Sequence, residues 1–461
     1  MSKNCAVILA AGEGTRMKSN YPKALAKVLF KPMLSWVADA VLESGIEDIC
    51  VVAGYKSEKI IEYLDGAFEV AIQTERLGTG HAVKSALDFI HAHKEGETLI
   101  LNGDAPFVDA ATISASLEQH TAHKNCVTVI SARLGDPHGY GRIIRDVNDN
   151  IEKIVEEKDA TSKEKAVSEI NSGAYWFSSM ALIDALTKIT NNNAKGEYYL
   201  TDAIEIIKRS GKNAGVCVAE GENIVLGANT RVQLNQLNEI ARAKELEYQM
   251  LEGVDIPCTD GVIISKGVKI GRDTTILPNT VIKENVVIGD FCTIGPNTVL
   301  ANCTVGDGTS LRNVTGIDSV VGSGVTAGPY VHLRPDSVIG DHVHIGNYVE
   351  VKNSNVGNGT KLPHLLYIGD ADVGERVNFG CGCVTVNYTG KDKYRTVVKD
   401  GAFIGCNTNL VAPVTIGQNA YTAAGSTITG DVPDDALAIA RSHQTVKEKW
   451  VQKKKPYKEN H

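Results

Sequence analysis

Three stretches in the first half of the chain carry residues suited to binding a nucleotide. Leu9-Ala-Ala-Gly-Glu-Gly-Thr-Arg-Met-Lys18 is a glycine-rich loop that follows a short apolar run. Glycines at such a turn let backbone N–H groups approach a phosphate closely. A dinucleotide fingerprint would need a third glycine where Met17 stands, and no Walker A lysine follows Gly12 at the required spacing. What remains is the loop, then Arg16, then Lys23 after Pro22: two cations able to neutralise a triphosphate. By spacing alone, the same pattern also describes surface charges after a turn. Leu99-Ile-Leu-Asn-Gly-Asp104 runs an apolar strand into a carboxylate. Open α/β sheets bind ligands at the carboxyl ends of their strands. An Asp there suits Mg²⁺, which takes one or two protein oxygens plus phosphates; a turn cap is its plainer use. Gln73 precedes Leu77-Gly-Thr-Gly-His-Ala82, a turn whose backbone could hydrogen-bond a flat base.

A second constellation lies in the other half. Leu333-Arg334-Pro335, Glu350-Val-Lys352, Pro363-His-Leu-Leu-Tyr367, Asn378, Asn387-Tyr388 and Ala440-Arg441 are polar interruptions of an otherwise regular pattern. A lone His on a strand is more often structural than catalytic, so His364 gains weight only from its company. His342 and His344 alternate on one strand face, but no third metal ligand stands at a recognisable spacing.

The elements that must position these residues differ between the halves. Residues 1–228 alternate short apolar runs (Cys5–Ala11, Asp48–Ala53, Thr98–Leu101, Val127–Ser131) with helical spacings (Leu34–Ser44, Ser57–Leu64). That alternation predicts a doubly wound α/β domain with a mostly parallel sheet and helices on both faces. Thr230–Glu252 has neither Gly nor Pro, and Leu234, Leu237, Ala241, Tyr248 and Leu251 fall near one face of a single long helix. Beyond it the period becomes six. Ile264, Ile270, Ile276, Ile282, Ile288, Ile294 and Leu300 are evenly spaced, and the period returns at Ile339, Ile345 and Val351, at Val356, Leu362 and Ile368, and at Ile404, Leu410, Ile416 and Ile428. Neither a helix nor a plain strand repeats at six; a hexapeptide β-helix does, over about 260–430. Gly and Asn are expected at its corners, where φ is positive. The domain boundaries read as 1–229, a linker helix over 230–252, and 253–461.

Composition narrows the function. The 461 residues carry 47 Lys+Arg against 55 Asp+Glu, a net charge of −8. No global basic field draws the chain to nucleic acid or to a membrane. No apolar run reaches the roughly 18 residues that a membrane span needs. Ten scattered Cys without a CxxC pair argue against a disulfide framework and for a reducing, cytoplasmic setting. The basic tail 447–458 is short and reads as solvated or as a subunit contact.

The string Leu-Ala-Ala-Gly-x-Gly-Thr-Arg-Met with Pro22-Lys23 resembles the sugar-1-phosphate nucleotidyltransferases. Leu77-Gly-Thr-Gly-His-Ala82, Gly139-Tyr-Gly-Arg142, Glu169-Ile-Asn-Ser-Gly173 and the stretch 191–199 narrow the likeness. With the hexad half, the whole chain is similar to the bacterial bifunctional glucosamine-1-phosphate acetyltransferases / N-acetylglucosamine-1-phosphate uridylyltransferases, which supply UDP-N-acetylglucosamine for peptidoglycan. The resemblance implies a Rossmann-like nucleotidyltransferase domain followed by a left-handed parallel β-helix. It implies that Leu9, Ala10, Ala11 and Gly12 hold UTP, that Arg16 and Lys23 bind its phosphates, and that Gln73, Gly78 and Thr79 read uracil. Asn102 and Gly103 would line the same site, Asp104 and Asn229 would ligate Mg²⁺, and Gly139, Glu156 and Asn171 would position the amino sugar. In the β-helix, His364 would be the general base of acetyl transfer, a task for which imidazole suits near neutral pH. Arg334 and Lys352 would grip the sugar phosphate, and Tyr367 and Asn378 the sugar. Cys381, Asn387, Tyr388, Cys406, Ala424 and Arg441 would contact acetyl-CoA. The family forms homotrimers through the flat β-helix faces. This sequence departs from the commoner pattern at Pro363, Cys381, Cys383 and Cys406, changes that put rate and affinity in doubt rather than reaction type. Related enzymes that make ADP-glucose carry a β-helix without catalytic use, so a single nucleotidyltransferase activity with an assembly module is the competing expectation.

Overall fold

The computed structural model describes residues 4–193 and 196–454. The chain divides into two compact units, 1–241 and 242–461. No described helix is long and apolar enough to cross a membrane.

The first unit is built on a nine-stranded sheet. Its strands are β1 (Cys5–Ala10), β2 (Ile49–Ala53), β3 (Glu69–Ile72), β4 (Glu97–Asn102), β5 (Val127–Arg133), β6 (Arg142–Arg145), β7 (Ile151–Val155), β8 (Glu169–Ser178) and β9 (Ala214–Val218). The main order is β9-β5-β8-β4-β1-β2-β3, with the β6–β7 hairpin attached to β8. β1 runs parallel to both β2 and β4. Successive side chains of β1 enter opposite cores: Cys5 and Val7 one, Ala6 and Ile8 the other. Both faces are covered, which is why these strands read as unbroken apolar runs. The predicted helix over 57–64 forms at Ser57–Leu64, and that over 34–44 at Met33–Glu43.

Along its main order the sheet is mostly parallel, as predicted, with one strand reversed. β8 lies antiparallel between β4 and β5. Its polar Asn171-Ser-Gly173 stretch hides the strand in the sequence, because the register shifts between Asn171 and Ala174 and breaks the alternation.

The long helix spans Arg231–Leu251. Leu234, Leu237 and Ala241 are buried as predicted, but Tyr248 and Leu251 are exposed. Glu245, Leu246 and Gln249 are buried instead. A straight helix drifts by about 20° per heptad, so the inward stripe leaves the 234–241–248 line. Burial raises the Glu245 carboxyl above its ordinary range, against a hydrogen bond donated by Gln249 at 2.9 Å.

The second unit is a 25-stranded parallel β-helix. Three hexads make one coil, so Ile264, Ile282 and Leu300 stack in register, as do Ile276, Ile294 and Leu311. All of the period-six residues named above are buried apart from Ile270, which packs at the edge of the core. Corner residues Asp273, Asn279, Asn285 and Asn297 do take positive φ. The glycines opening the hexads have another use. Gly271 and Gly289 are not among the positive-φ residues; a side chain there would collide with Asp290 and Asp307 of the next coil. Those carboxylates accept from the Arg272 and Asp290 backbone N–H groups, both at 2.9 Å. The Gly-Asp pair thus closes each corner onto the coil above.

Candidate active sites

Three parallel strands of the first unit, β4, β1 and β3, lead into one cavity of about 550 Å³. β1 delivers Leu9 and Ala10 and runs into Ala11 and Gly12; β3 is followed by Gln73; β4 ends at Asn102, followed by Asp104. Arg16, Lys23, Gly78, Thr79, Glu156 and Asn229 also line it. A Cβ at Gly12 would meet nothing, so its backbone faces open space. Gly78 has φ +101°, and a Cβ there would lie 2.6 Å from the Tyr198 carbonyl oxygen, so only glycine fits. Gly103 lines neither cavity; it packs on β1, donating its N–H to the Leu9 carbonyl at 2.9 Å.

A second cavity of about 510 Å³ adjoins the first. Leu9, Arg16, Thr79, Asn102, Asp104, Glu156, Tyr199 and Asn229 line both, so these residues stand at the junction. Gly139 and Asn171 line the second cavity only. The register shift in β8 fixes Asn171, whose Nδ2 donates to Tyr175 Oη at 2.7 Å. Burial raises the Tyr175 phenol far above its ordinary range, so it stays neutral. Glu157 was not evident from sequence. It pairs with the buried Arg142 at 2.8 Å and accepts from the Gly139 N–H at 3.3 Å. Tyr140, Tyr199 and Arg76 are further lining residues that spacing did not single out.

The donor set at the junction suits a hard cation. The Lys23 ammonium pairs with the Asp104 carboxylate and donates to Asn229 Oδ1 at 2.6 Å. Two oxygens, one charged and one neutral, therefore already converge on a single cation. Mg²⁺ takes such oxygens and fills its shell with water and phosphate. No cluster of three or more His, Cys, Asp or Glu exists among the described residues, so the remaining ligands would come from solvent and substrate. Arg16 is exposed and has no ion pair among the described residues, so its guanidinium could meet an anion.

In the β-helix the implied residues fall into two groups. A cavity of about 520 Å³ is lined by Arg334, Lys352, Asp370 and Lys393, with Tyr394 and Arg395. Lys393, missed by sequence reasoning, faces Lys352, and that second ammonium pulls it below the ordinary lysine range. Two like charges held together call for an anion. Burial works to raise the Asp370 carboxyl, but hydrogen bonds from Asn353 and Asn387 and the nearby Lys352 and Lys393 hold it below its usual range. Asn387 also donates to Tyr367 Oη at 3.4 Å, so both belong to this edge. Arg334 pairs with Glu350 at 2.7 Å.

The second group stands at another corner. His364 is exposed, and its Nδ1 lies 3.0 Å from Asn347 Oδ1 in the coil below. An amide oxygen only accepts, so Nδ1 carries a hydrogen, and in the neutral ring the lone pair is then on Nε2. Continuing the register upward places Cys381, Cys406 and Ala424 in the same column. The Arg441 side chain reaches Gly425 beside it, and Asn378 lies on the preceding strand. Tyr388 is exposed in the following loop, its hydroxyl donating to the Gly390 carbonyl at 2.6 Å. Cys381 and Cys406 are exposed, whereas burial pushes the Cys383 thiol up to about 11. The corners at Leu365 and Asp370 bound one strand segment, a separation of about 16 Å at about 3.3 Å per residue. Within one chain, His364 and the cationic cavity do not meet. Among the described residues no group of three or more His, Cys, Asp or Glu gathers at His342 and His344; His344 Nδ1 is 2.8 Å from Thr326 Oγ1.

Known proteins match both halves. A nucleotidyl transferase family model matches residues 5–230. A GMPPB C-terminal domain model matches 258–364, and a bacterial transferase hexapeptide model matches 395–430. Bifunctional protein GlmU of Geobacillus sp. (strain WCH70) is 50% identical over 451 residues, covering 98% of each chain. That of Caldanaerobacter subterraneus subsp. tengcongensis is 50% identical over 454 residues, covering 98% of this chain and 99% of the relative. That of Clostridioides difficile (strain 630) is 48% identical over 449 residues, covering 97% of each. With relatives this similar along both units, the chain belongs to the GlmU family of bifunctional proteins.

Proposed function

We propose that the first unit transfers UMP from UTP to N-acetylglucosamine 1-phosphate, releasing pyrophosphate, and that the β-helix acetylates glucosamine 1-phosphate with acetyl-CoA. The chain is a bifunctional enzyme with uridylyltransferase and acetyltransferase activities. Acetylation comes first, because its product is the acceptor for UMP. The observation that carries the uridylyl reading is the pair of adjoining cavities with Arg16, Asp104 and Asn229 at their junction. The nucleotide fills one and the sugar the other, so the reacting phosphates meet where the cation-binding oxygens stand. A sugar-phosphate oxygen attacks the α-phosphorus, a new P–O bond forms, and the bond to pyrophosphate breaks. Such transfer needs positioning and charge neutralisation more than a side-chain nucleophile. Arg16 and the Gly12 backbone hold the triphosphate, and Gln73, Gly78 and Thr79 hold the base. Asp104 and Asn229 would hold Mg²⁺, which when bound draws charge from the phosphates.

For acetyl transfer, the cationic pair Lys352 and Lys393 with Arg334 holds the sugar phosphate, and His364 Nε2 takes the proton that the amine loses on attacking the thioester. The two groups lie at opposite edges of one face, so we place the working site between neighbouring copies in a homotrimer. Supporting this, Tyr330 and Tyr348 stack at 5.2 Å on the corner column beside His364, and Leu365 continues it; all three are more than half exposed in the single chain. A need for both acetyl-CoA and UTP supports a cytoplasmic setting. The test is incubation of the full chain with glucosamine 1-phosphate, acetyl-CoA, UTP and Mg²⁺, with products weighed by mass spectrometry. UDP-N-acetylglucosamine, free coenzyme A and pyrophosphate are expected. Nucleotide transfer to N-acetylglucosamine 1-phosphate without acetylation of glucosamine 1-phosphate would leave the β-helix as an assembly module.

A further inference from the structure

His81 lines neither cavity, yet it holds a residue that does. Gln73 is only 6% exposed and forms part of the first cavity wall. Its Nε2 lies 3.1 Å from the Gly78 carbonyl oxygen and 3.2 Å from His81 Nδ1. A carbonyl oxygen only accepts, so the amide nitrogen, not the amide oxygen, must face Gly78. Both hydrogens of the NH₂ group then have acceptors, Gly78 O for one and unprotonated His81 Nδ1 for the other. Oε1 is left over, with no donor set against it among the described residues. Turning the amide over would aim Oε1 at two lone pairs. Gln73 therefore offers a ligand one acceptor and no donor.

That polarity separates the pyrimidines. Uracil carries an imino N–H that fits an acceptor. Cytosine has a lone pair on the same ring nitrogen, and would face acceptor to acceptor or force the amide to flip. A site whose buried polar groups fit one pattern rejects the analogue that leaves them unpaired. The ring of His81 is itself positioned: it stands on the helix Thr79–Ser85 and packs against Tyr198 at a centroid distance of 6.3 Å.

We propose that His81 is a positioning residue for base selectivity: by accepting from Gln73 Nε2 it keeps the amide oxygen toward the cavity, so that the site takes uridine and rejects cytidine triphosphate. The inference rests on the uridylyl-transfer reading above. Its test is the UTP:CTP ratio of kcat/KM, with N-acetylglucosamine 1-phosphate and Mg²⁺, for the full chain and for His81→Phe, His81→Leu and His81→Asn. Binding calorimetry with UTP and CTP supplies the same ratio without turnover. Phe and Leu keep bulk and remove the acceptor; the Asn amide oxygen replaces Nδ1. The ratio should fall about tenfold in the Phe and Leu chains and stay within about threefold of wild type in the Asn chain. An unmoved ratio in either folded acceptor-less variant overturns the proposal. An equal fall in the Asn chain also overturns it, because packing alone would then be responsible. If the unaltered chain turns over no UTP, the uridylyl reading itself fails and takes the inference with it; UTP turnover with an unmoved ratio defeats the inference alone.

Discussion

Lys23 stands between Asp104 and Asn229, where the sequence suggested a phosphate ligand. The residue type was legible and its resting partner was not, because an ion pair across 81 positions leaves no mark in local spacing. His364 shows the same limit. Its identity was legible from the company of Arg334 and Lys352, but Asn347, which fixes its tautomer, is a neighbour only through the coil register. A positioned base typically contributes about 10²–10⁴-fold. His364→Ala should therefore cut acetyl-transfer kcat at least ~100-fold while KM for acetyl-CoA changes little. A stable His364→Ala chain with more than ~10% of the kcat would remove the general-base role. Asn347→Leu, which leaves the Nδ1 hydrogen without its acceptor, should lower kcat about tenfold and leave the melting temperature nearly unchanged. The three thiols near this column also separate. Maleimide should label Cys381 and Cys406 but spare Cys383, whose thiol is buried and raised to about 11. Acetyl transfer should fall more than uridylyl transfer, and acetyl-CoA should protect. Peptide mapping that finds Cys381 and Cys406 unlabelled while acetyl transfer is lost would contradict this.

The hexad elements were readable from sequence because each repeat sends one aliphatic side chain inward, and burial depends on that spacing alone. Ile282→Ala, at a fully buried rung, should cost about 2–5 kcal/mol in chemical denaturation. β8 was not readable, since its register shift and polar motif erase the period-two pattern. Its first residue, Glu169, nevertheless ties the hairpin to the sheet: Arg145 donates from Nε and Nη2 to its carboxylate at 2.7 Å, and Ser131 donates at 2.7 Å. Burial works to raise the Glu169 carboxyl, but these partners hold it below the ordinary Glu range. A depressed folded value means that its stabilisation is fully present above the unfolded value of about 4.3. It is lost as pH falls through the lower folded value. Glu169→Gln should therefore lower the melting temperature at neutral pH and flatten its fall with acid between about pH 5 and about pH 3. Parallel melting curves for the two chains over that range would contradict the assignment.

At the scale of the molecule, the change of period located two different architectures, and the motifs for the two reactions do not interleave in sequence. What the period could not supply was which corners carry chemistry and which meet another copy. The cationic edge and the His364 edge are about 16 Å apart on one face, and in the proposed trimer they would form one site where the edge of one copy meets its neighbour. Tyr348→Glu combined with Leu365→Glu should break the trimer in sedimentation, abolish acetyl transfer and leave uridylyl transfer near the unaltered level. A monomer with full acetyl transfer would show that the site is complete in one chain. The most direct measurement of the central claim, two independent transferase activities carried by this one chain type, is a product census by mass spectrometry on Asp104→Ala and His364→Ala. Each is given glucosamine 1-phosphate, acetyl-CoA, UTP and Mg²⁺. Asp104→Ala should stop at N-acetylglucosamine 1-phosphate with release of coenzyme A. His364→Ala should leave glucosamine 1-phosphate unacetylated, yet turn added N-acetylglucosamine 1-phosphate and UTP into UDP-N-acetylglucosamine. Loss of both reactions together in either folded variant would contradict the account.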